Sequence, residues 1–285
     1  TPEELAEAKE TVQVIPNCPK WYVWDGAQCV LVPEAVRRPC EKAGIADHVY
    51  YVENGNSTSA LPARTTLVPK SSLPKNPDGT PLKLTDNDTG FNSALYRVDN
   101  GNGKIEYVYS TQGSDFKNYM NDWKNNLQQG TGFISEQYTQ SIANAKALQK
   151  WAEDNHYTLS FTGHSLGGGM ANANALATGL KATIYNPAGL SDATINNVDY
   201  QLNLGNSKNV TAYVVHGEPV SFVNDVSKSP VRGTTNYIGS YAIPLLGYGS
   251  SIALGPTGAG GATALIATAG YLHSMGTVIA NLDCN

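Results

Sequence analysis

The chain has 285 residues, a formal net charge of −5, and 41 % hydrophobic against 15 % charged residues. A chain of this length and composition can bury a large apolar core, which argues against disorder and against dependence on a metal ion for folding. The sequence contains no run of Lys and Arg, and this argues against nucleic acid as a partner, because phosphate binding needs clustered cations.

Residues 1–60 are predicted to form a small appendage before the main domain. TPEELAEAKE is a candidate for a short helix, and CPKWYVWDGAQCVLV indicates two short strands around an Asp25-Gly26 turn. Residues 61–90 are rich in Asn, Ser, Thr, Pro and Gly, so we expect a linker or loop there. The main domain is then predicted to span residues 91–285.

The cysteines indicate the compartment. They contain no C-x-x-C pair and no accompanying His cluster, so metal binding is disfavoured and no metal site is predicted. An even number favours two disulfides and therefore a secreted or periplasmic protein. Three pairings are open. We favour Cys18–Cys29, which closes a short loop, together with Cys40–Cys284, which would tie the C-terminal tail to the N-terminal region.

The main domain alternates strand and helix patterns. FNSALYRV and KIEYVYS flank an Asn- and Gly-rich turn and predict a hairpin. Helices are predicted at 115–128 and 134–154, the second from apolar residues that recur every three or four positions. YTLSF, ATIYN and NVTAYVV are short apolar runs that predict buried strands. Strands alternating with helices predict an α/β fold whose mostly parallel sheet is flanked by helices on both faces.

The segment 233–282 contains no Asp, Glu, Lys or Arg. Gly and Pro interrupt it too often for a transmembrane helix, so no transmembrane anchor is predicted. Two interpretations stay open for this segment. It is either buried core or a hydrophobic rim or lid that faces an acyl chain.

The most specific motif is Gly163-His164-Ser165-Leu166-Gly167, which matches G-x-S-x-G. YTLSF supplies a strand before it, and LGGGMANANALATG supplies a small-residue helix after it, as a nucleophile elbow requires. The turn is too tight for side chains at the flanking glycines, and the helix N-terminus places amide groups beside the serine. The motif therefore predicts an α/β-hydrolase with Ser165 as its nucleophile.

A serine nucleophile needs a base and an acid, which follow it in the order Ser, Asp/Glu, His in this fold. We choose His273 as the base because it comes from a separate late segment, whereas His216 lies next to a strand end. We choose Glu218 as the acid, since it directly follows a buried strand where functional groups gather. Asp225 is the alternative acid.

The assembled motifs resemble the class 3 lipases, the family that includes the filamentous-fungal triacylglycerol lipases. The resemblance covers roughly residues 90–282. It rests on GHSLGG at the elbow, DWKNN at 122–126, YNPAGL at 185–190, EPVSF at 218–222 and YLHSMG at 271–276. The family has an aspartate where this chain has Glu218.

The resemblance also implies an oxyanion hole, formed in the family by the last residue of an F-R-G-T-like strand end. Thr111 is our choice for that residue here, with Gln112 as the alternative, and the Leu166 amide would be the second donor.

The implied activity is hydrolysis of lipid esters at a membrane or lipid aggregate, by a lipase or phospholipase that needs no cofactor and no metal. A secreted antibacterial effector of this kind would have a delivery or immunity protein as its partner. The alternatives are a short-chain esterase, a hydrolase of peptides or polysaccharide esters, and an inactive lipid-binding protein with the same fold.

Overall fold

The computed structural model describes residues 18, 22–24, 26–31, 34–52, 57, 59–101, 103–113, 131–197, 199–239, 270–282 and 284. The chain divides into a smaller unit, Thr1–Arg38, and a larger unit, Pro39–Asn285. The helices predicted at 1–10 and 115–128 lie outside the described residues.

The smaller unit contains a two-stranded antiparallel sheet. Strand β1 (Tyr22–Trp24) pairs with β2 (Cys29–Leu31), with Trp24 opposite Cys29. Gly26 lies in the connecting turn with a φ of +106°, a conformation that L side chains rarely adopt. A disulfide joins Cys18 to Cys29. The predicted pair of strands and the favoured first disulfide are both confirmed.

The larger unit is built on a mixed sheet with helices on both faces. Its strands are, in chain order, β3 Thr65–Leu67, β4 Thr85–Asp86, β5 Phe91–Asp99, β6 Ile105–Thr111, β7 Thr158–His164, β8 Lys181–Tyr185, β9 Val210–Val215 and β10 Thr234–Ile238. Its helices are α1 Glu34–His48 (from Pro39 onward), α2 Thr131–Asp154, α3 Leu166–Thr178, α4 Asp192–Asn197, α5 Pro219–Val226 and α6 Met275–Asn281.

The strand order is β10-β9-β8-β7-β6-β5-β3, with β4 also pairing with β5. The pairs from β6 to β10 are parallel, and those that β5 makes with β3, β4 and β6 are antiparallel. The parallel strands β7, β8 and β9 are short apolar runs that are largely buried, as their sequences predict, whereas β10 at the edge of the sheet is largely exposed. The mostly parallel sheet flanked by helices is therefore confirmed.

Neighbouring residues of one strand mark the two faces of the sheet. Leu95 on β5 belongs to an apolar cluster with α2 and α3, through residues such as Leu148 and Ala171. The next residue, Tyr96, belongs to a cluster with Ile45 on α1. Because side chains alternate along a strand, α1 covers the face opposite α2 and α3.

The structure divides the chain at a different place from the boundary expected near residue 60. The larger unit begins at Pro39, and β3 and β4 of the expected linker both pair with β5. Leu82 and Leu84 are buried in the same cluster as Leu95. These strands are only two or three residues long and lie among turn-forming residues, so their sequence carries no alternation that would distinguish them from a loop.

The C-terminal end of the larger unit is held against α1. Leu272, Met275 and Val278 are buried in one apolar cluster with Ala43 on α1 and Tyr185 on β8. A disulfide joins Cys40 on α1 to Cys284, so the favoured second pairing is confirmed. This packing supports the core interpretation for residues 270–282. The rim or lid interpretation concerns residues 240–269, which lie outside the described residues.

No helix among the described residues is both long enough and apolar enough to span a bilayer.

Candidate active site

Ser165 lies between β7 and α3, in a conformation that few residues other than glycine adopt. Its φ is 59° and its ψ is −127°. Backbone hydrogen bonds hold the bend on both sides: the Ser165 N–H donates to the Tyr185 carbonyl at 3.1 Å, and the Ser165 carbonyl accepts from Gly169 and Ala188. A strained residue of this kind persists only where the surrounding structure over-determines it, and such residues cluster at functional sites.

The two glycines of the motif are required by close backbone contacts. A Cβ on Gly163 would lie 2.4 Å from the Gly167 carbonyl oxygen, and a Cβ on Gly167 would lie 2.1 Å from the Thr111 carbonyl oxygen. Both distances are far below van der Waals contact, so no side chain fits at either position. The elbow is consequently packed directly against the end of β6.

His273 and Glu218 form a buried pair at the same edge of the sheet. The His273 Nδ1 lies 2.8 Å from the Glu218 Oε2, and the two side chains are 1 % and 0 % exposed. The carboxylate can only accept, so Nδ1 carries the proton, and Nε2 is the acceptor nitrogen of the neutral ring. This is the tautomer that a general base requires.

Glu218 owes its position to the start of α5. It is the N-cap residue, and its side chain accepts hydrogen bonds from the Val220 N–H, at 3.0 Å, and from the N–H and hydroxyl of Ser221. Pro219 occupies the first turn, where the missing N–H costs no hydrogen bond. The helix start therefore fixes the orientation of the carboxylate toward His273.

His273 is held beside the elbow through its own carbonyl group. That carbonyl accepts from the His164 Nε2 at 2.6 Å and from the Asn186 Nδ2 at 3.2 Å. The ring centroids of His164 and His273 lie 4.6 Å apart. Since His164 directly precedes Ser165, the structure brings His273, Glu218 and the nucleophile elbow to one place at the carboxyl edge of the sheet.

Asn186 is a site residue that sequence reasoning missed. It follows β8 with a φ of 39°, and its side chain donates to the carbonyls of Leu272 and His273 while accepting from the Val215 N–H. One buried amide thus connects the ends of β8 and β9 to the histidine segment. The YNPAGL segment was a signal for it, because an Asn directly after a buried strand reaches the carboxyl edge of the sheet.

Asp225, the alternative acid, lies apart from this pair. It is exposed near the C-terminal end of α5, whereas Glu218 is buried at the N-terminal end of the same helix. His216 stacks on the ring of Tyr237, with centroids 5.1 Å apart. The geometry therefore favours Glu218 as the partner of His273.

The two residues considered for the oxyanion hole are occupied in other ways. The Thr111 hydroxyl donates to the Gly167 carbonyl at 2.7 Å, and the Gln112 N–H donates to the Asn92 carbonyl at 3.0 Å. The backbone N–H of Leu166 lies in the first turn of α3, where N–H groups have no intrahelical acceptor. This amide fits the predicted second donor.

Gly113 lies closer to Ser165 than the sequence indicated. A Cβ on Gly113 would lie 3.1 Å from the Ser165 Cβ and 2.6 Å from the His164 carbonyl oxygen. The glycine of the family's strand-end pattern was the signal, two positions beyond its place in the register that ends at Gln112. Residues 111–113 therefore form one wall of the site, and residues 114–130 lie outside the described residues.

Among the residues that the structure describes, no group of three or more His, Cys, Asp and Glu side chains could hold a metal ion.

A bend that projects a serine between a parallel sheet and a helix, with a buried His–Glu pair beside it, defines an α/β-hydrolase. The chain belongs to the family of Tle-like phospholipase domains, which matches residues 41–268.

The extracellular phospholipase A1 of Serratia liquefaciens is 40 % identical over 116 residues, which is 41 % of this chain and 33 % of that protein. The match thus spans about a third of the length of this relative.

Two solved fungal structures are similar in fold. The Rhizomucor miehei lipase propeptide complex is 11 % identical, covers 80 % of this chain and 79 % of that one, and superposes with a TM-score of 0.50. The lipase II of Rhizopus niveus is 14 % identical, covers 72 % of this chain and 81 % of that one, and has a TM-score of 0.41. The first likeness shows that the fold is similar to that of a fungal lipase, as the resemblance to the class 3 lipases implied.

His164 gives a prediction for the pH dependence of stability. Burial and the neighbouring His273 lower the pKa of His164 well below its ordinary value of 6.5, and burial also lowers the pKa of His48. The unfolded chain then binds more protons than the folded one below about pH 6.5. We expect the free energy of unfolding to fall as the pH drops from 7 to 5, by up to ~1.4 kcal/mol per pH unit for His164.

Urea denaturation at several pH values would measure this dependence. His164→Gln should flatten it, and the matched control His156→Gln, at an exposed position, should leave the slope unchanged. Equal slopes for the wild type and His164→Gln would contradict the assignment.

Proposed function

We propose that this protein hydrolyses lipid esters through an acyl-enzyme formed on Ser165, with His273 as general base and Glu218 as its acid partner. The observation that carries the proposal is the position of His273. Its Nδ1 donates to a buried carboxylate at 2.8 Å, and its backbone is bonded to the residue that precedes the strained Ser165. Few arrangements other than nucleophilic catalysis require this combination.

The reaction follows from the tautomer of His273. Nε2 takes the hydroxyl proton as Ser165 Oγ attacks the ester carbonyl, and Glu218 stabilises the imidazolium that results. His273 then protonates the leaving alcohol, and water repeats the sequence in reverse to release the fatty acid. The proposed oxyanion donor is the Leu166 amide, at the N-terminus of α3, whereas the Thr111 hydroxyl donates to the Gly167 carbonyl. One such donor lowers the barrier by ~2.7–4 kcal/mol.

A phospholipid is the substrate class that we favour. The family is that of phospholipase domains, and the bacterial relative carries the name phospholipase A1. The uncharged, largely apolar sequence of residues 240–269 supports acyl-chain binding. Activity that rises with acyl-chain length and with lipid aggregation would support this choice. A preference for short soluble esters would instead identify a plain esterase.

The nucleophile assignment is tested by Ser165→Ala. Removal of the hydroxyl should abolish hydrolysis of a p-nitrophenyl acyl ester and the release of fatty acid from phospholipid vesicles, since no acyl-enzyme can form. The products are measured by mass spectrometry, and labelling by an active-site-directed fluorophosphonate should disappear as well. Ser227→Ala, at an exposed serine after α5, is the control and should keep full activity. Turnover or labelling retained by Ser165→Ala would refute the proposal.

The acid assignment is tested by comparing Glu218→Gln with Asp225→Asn. A Gln amide at 218 would present a donor to the His273 Nδ1–H or force the other tautomer, so we expect kcat to fall by roughly 10³–10⁴-fold. Asp225→Asn should stay within about twofold of the wild type, because exposed substitutions away from such contacts have small effects. The opposite ranking of the two variants would transfer the role to Asp225.

We further propose that the enzyme acts in an oxidising compartment as a secreted or periplasmic protein. Two disulfides and the word extracellular in the relative's name support this. An antibacterial effector with a delivery or immunity partner is the specific form that we propose. Expression in a bacterial periplasm should then reduce viability, and Ser165→Ala should abolish the toxicity. Equal toxicity of the inactive variant would exclude a lipase effector.

A further inference from the structure

A chain of hydrogen bonds runs past the elbow from Gly113 through Tyr50 and His164 to the His273 carbonyl. Tyr50 lies in a 3₁₀ turn, Val49–Tyr51, just after α1. Its hydroxyl oxygen lies 3.0 Å from the His164 Nδ1 and 3.1 Å from the Gly113 backbone nitrogen. The other ring nitrogen of His164 lies 2.6 Å from the His273 carbonyl oxygen. Tyr50 and His164 thereby connect the wall beside Ser165 to the backbone of the proposed base.

The direction of each hydrogen bond in this chain is determined by its ends. The His273 carbonyl can only accept, so the His164 Nε2 carries a proton and donates it. His164 is buried and neutral, so its Nδ1 is an acceptor, and the Tyr50 hydroxyl must donate to it. The same oxygen accepts the Gly113 N–H. Each hydrogen bond from Gly113 to His273 therefore has one defined direction.

One end of this series of hydrogen bonds is Gly113, beside Ser165, and the other is the backbone carbonyl of His273. Gly113 packs against the Ser165 side chain, since a Cβ there would lie 3.1 Å from the Ser165 Cβ. The His273 carbonyl belongs to the residue whose ring must reach the Ser165 hydroxyl. Loss of the chain would release both positions without removing any group that takes part in the chemistry.

His164 also has to stay uncharged for electrostatic reasons. Its ring lies 4.6 Å from that of His273, which becomes positively charged once it has taken a proton from the serine. A second positive charge at this distance would oppose the imidazolium. The hydroxyl of Tyr50 donates to the nitrogen that would otherwise be protonated.

We infer that Tyr50 and His164 are positioning residues for the hydrolysis: Tyr50 fixes the tautomer of His164, and His164 holds the His273 backbone so that its imidazole meets Ser165. This inference rests on the proposed function for its kinetic consequence. The hydrogen-bond order itself is a property of the folded chain and is measured independently of activity.

Tyr50→Phe is the principal variant, because it removes only the hydroxyl. Gly113 and His164 each lose a partner, so we expect kcat for a p-nitrophenyl ester to fall by roughly 10–100-fold with KM changed by less than about threefold, as misplacement of a base by an ångström does. The rate of fluorophosphonate labelling should fall in proportion.

The chain contains a matched control in Tyr96→Phe. Tyr96 donates to or accepts from the Nδ1 of a second buried histidine, His48, at 2.9 Å, and Tyr50 packs against the apolar cluster that contains Tyr96. The substitution removes the same kind of bond away from the elbow. It should cost stability comparable to Tyr50→Phe and leave kcat within about twofold, in line with ordinary hydrogen-bond losses.

The conservative variant His164→Gln provides a rescue test. A Gln amide can still donate to the His273 carbonyl, whereas His164→Leu cannot. We expect the kcat of His164→Gln to be at least tenfold higher than that of His164→Leu. The two variants are compared at equal folded fraction, and near-ultraviolet circular dichroism measures that fraction.

Heteronuclear NMR of the histidine rings separates this inference from the proposed function. In the wild type and in Ser165→Ala, the His164 nitrogen shifts should show a protonated Nε2 and an unprotonated Nδ1 at every pH measured. Tyr50→Phe should shift or broaden the His273 Nδ1–H signal, and Tyr96→Phe should not. A wild type that neither turns over esters nor labels would refute the proposed function, while these spectra would still decide the positioning role. The inference is overturned by a protonated His164 Nδ1, or by Tyr50→Phe matching Tyr96→Phe in kcat and in the His273 signal.

Discussion

The close approach of three backbone segments at the elbow is the constraint on which the site depends. The space between β7, the start of α3 and the end of β6 admits no side chain at Gly163 or Gly167, where a Cβ would lie within 2.4 Å of a carbonyl oxygen. This packing forces Ser165 into a positive φ and presents its side chain at the carboxyl edge of the sheet. It also places the first turn of α3, with its N–H groups unpaired by the helix, beside the serine, where negative charge develops during acyl transfer. A single tight turn thereby supplies both the proposed nucleophile and one proposed oxyanion donor.

The proposed base depends on packing far from the elbow in the sequence. His273 belongs to a segment whose neighbours Leu272, Met275 and Val278 are buried against α1 and β8, and the Cys40–Cys284 disulfide ties the following residues to α1. The first helix of the larger unit, α1, therefore supports the site in two ways. It anchors the C-terminal segment that carries His273, and it leads directly into the turn that carries Tyr50. Residues 39–51, which the sequence placed in an appendage, thus belong to the larger unit.

The sequence predicted what short-range patterns determine. Residues close in sequence predicted the elbow motif, the buried strands, the mostly parallel sheet and the Cys18–Cys29 disulfide. The Cys40–Cys284 disulfide was favoured because it would tie the C-terminal tail to the N-terminal region. The structure agrees with these predictions. Contacts without a local pattern could not be predicted. Tyr50 lies 114 positions before His164, and nothing in its neighbourhood marks it as a hydrogen-bond partner. Asn186 acts by its position at a strand end, and β3 and β4 are too short to show an alternation. The choice between Glu218 and Asp225 was likewise open, because both lie within ten residues after β9. Only their places at opposite ends of α5 distinguish their environments.

Glu218 stands where the class 3 lipases have an aspartate, and the start of α5 explains how a glutamate fits there. As the N-cap residue, Glu218 folds its longer side chain back over the first turn, so the carboxylate does not extend further toward His273 than the histidine requires. Oε1 accepts from the N–H and hydroxyl of Ser221, and Oε2 accepts from the Val220 N–H and from the His273 Nδ1. Four donors thus meet a group that has about four acceptor sites, and the buried carboxylate is fully satisfied. Pro219, which follows it, occupies the one place in a helix where its missing N–H does no harm. The Glu-Pro pair therefore holds a carboxylate at the edge of this sheet, and the helix that Glu218 caps sets the orientation of that carboxylate toward His273.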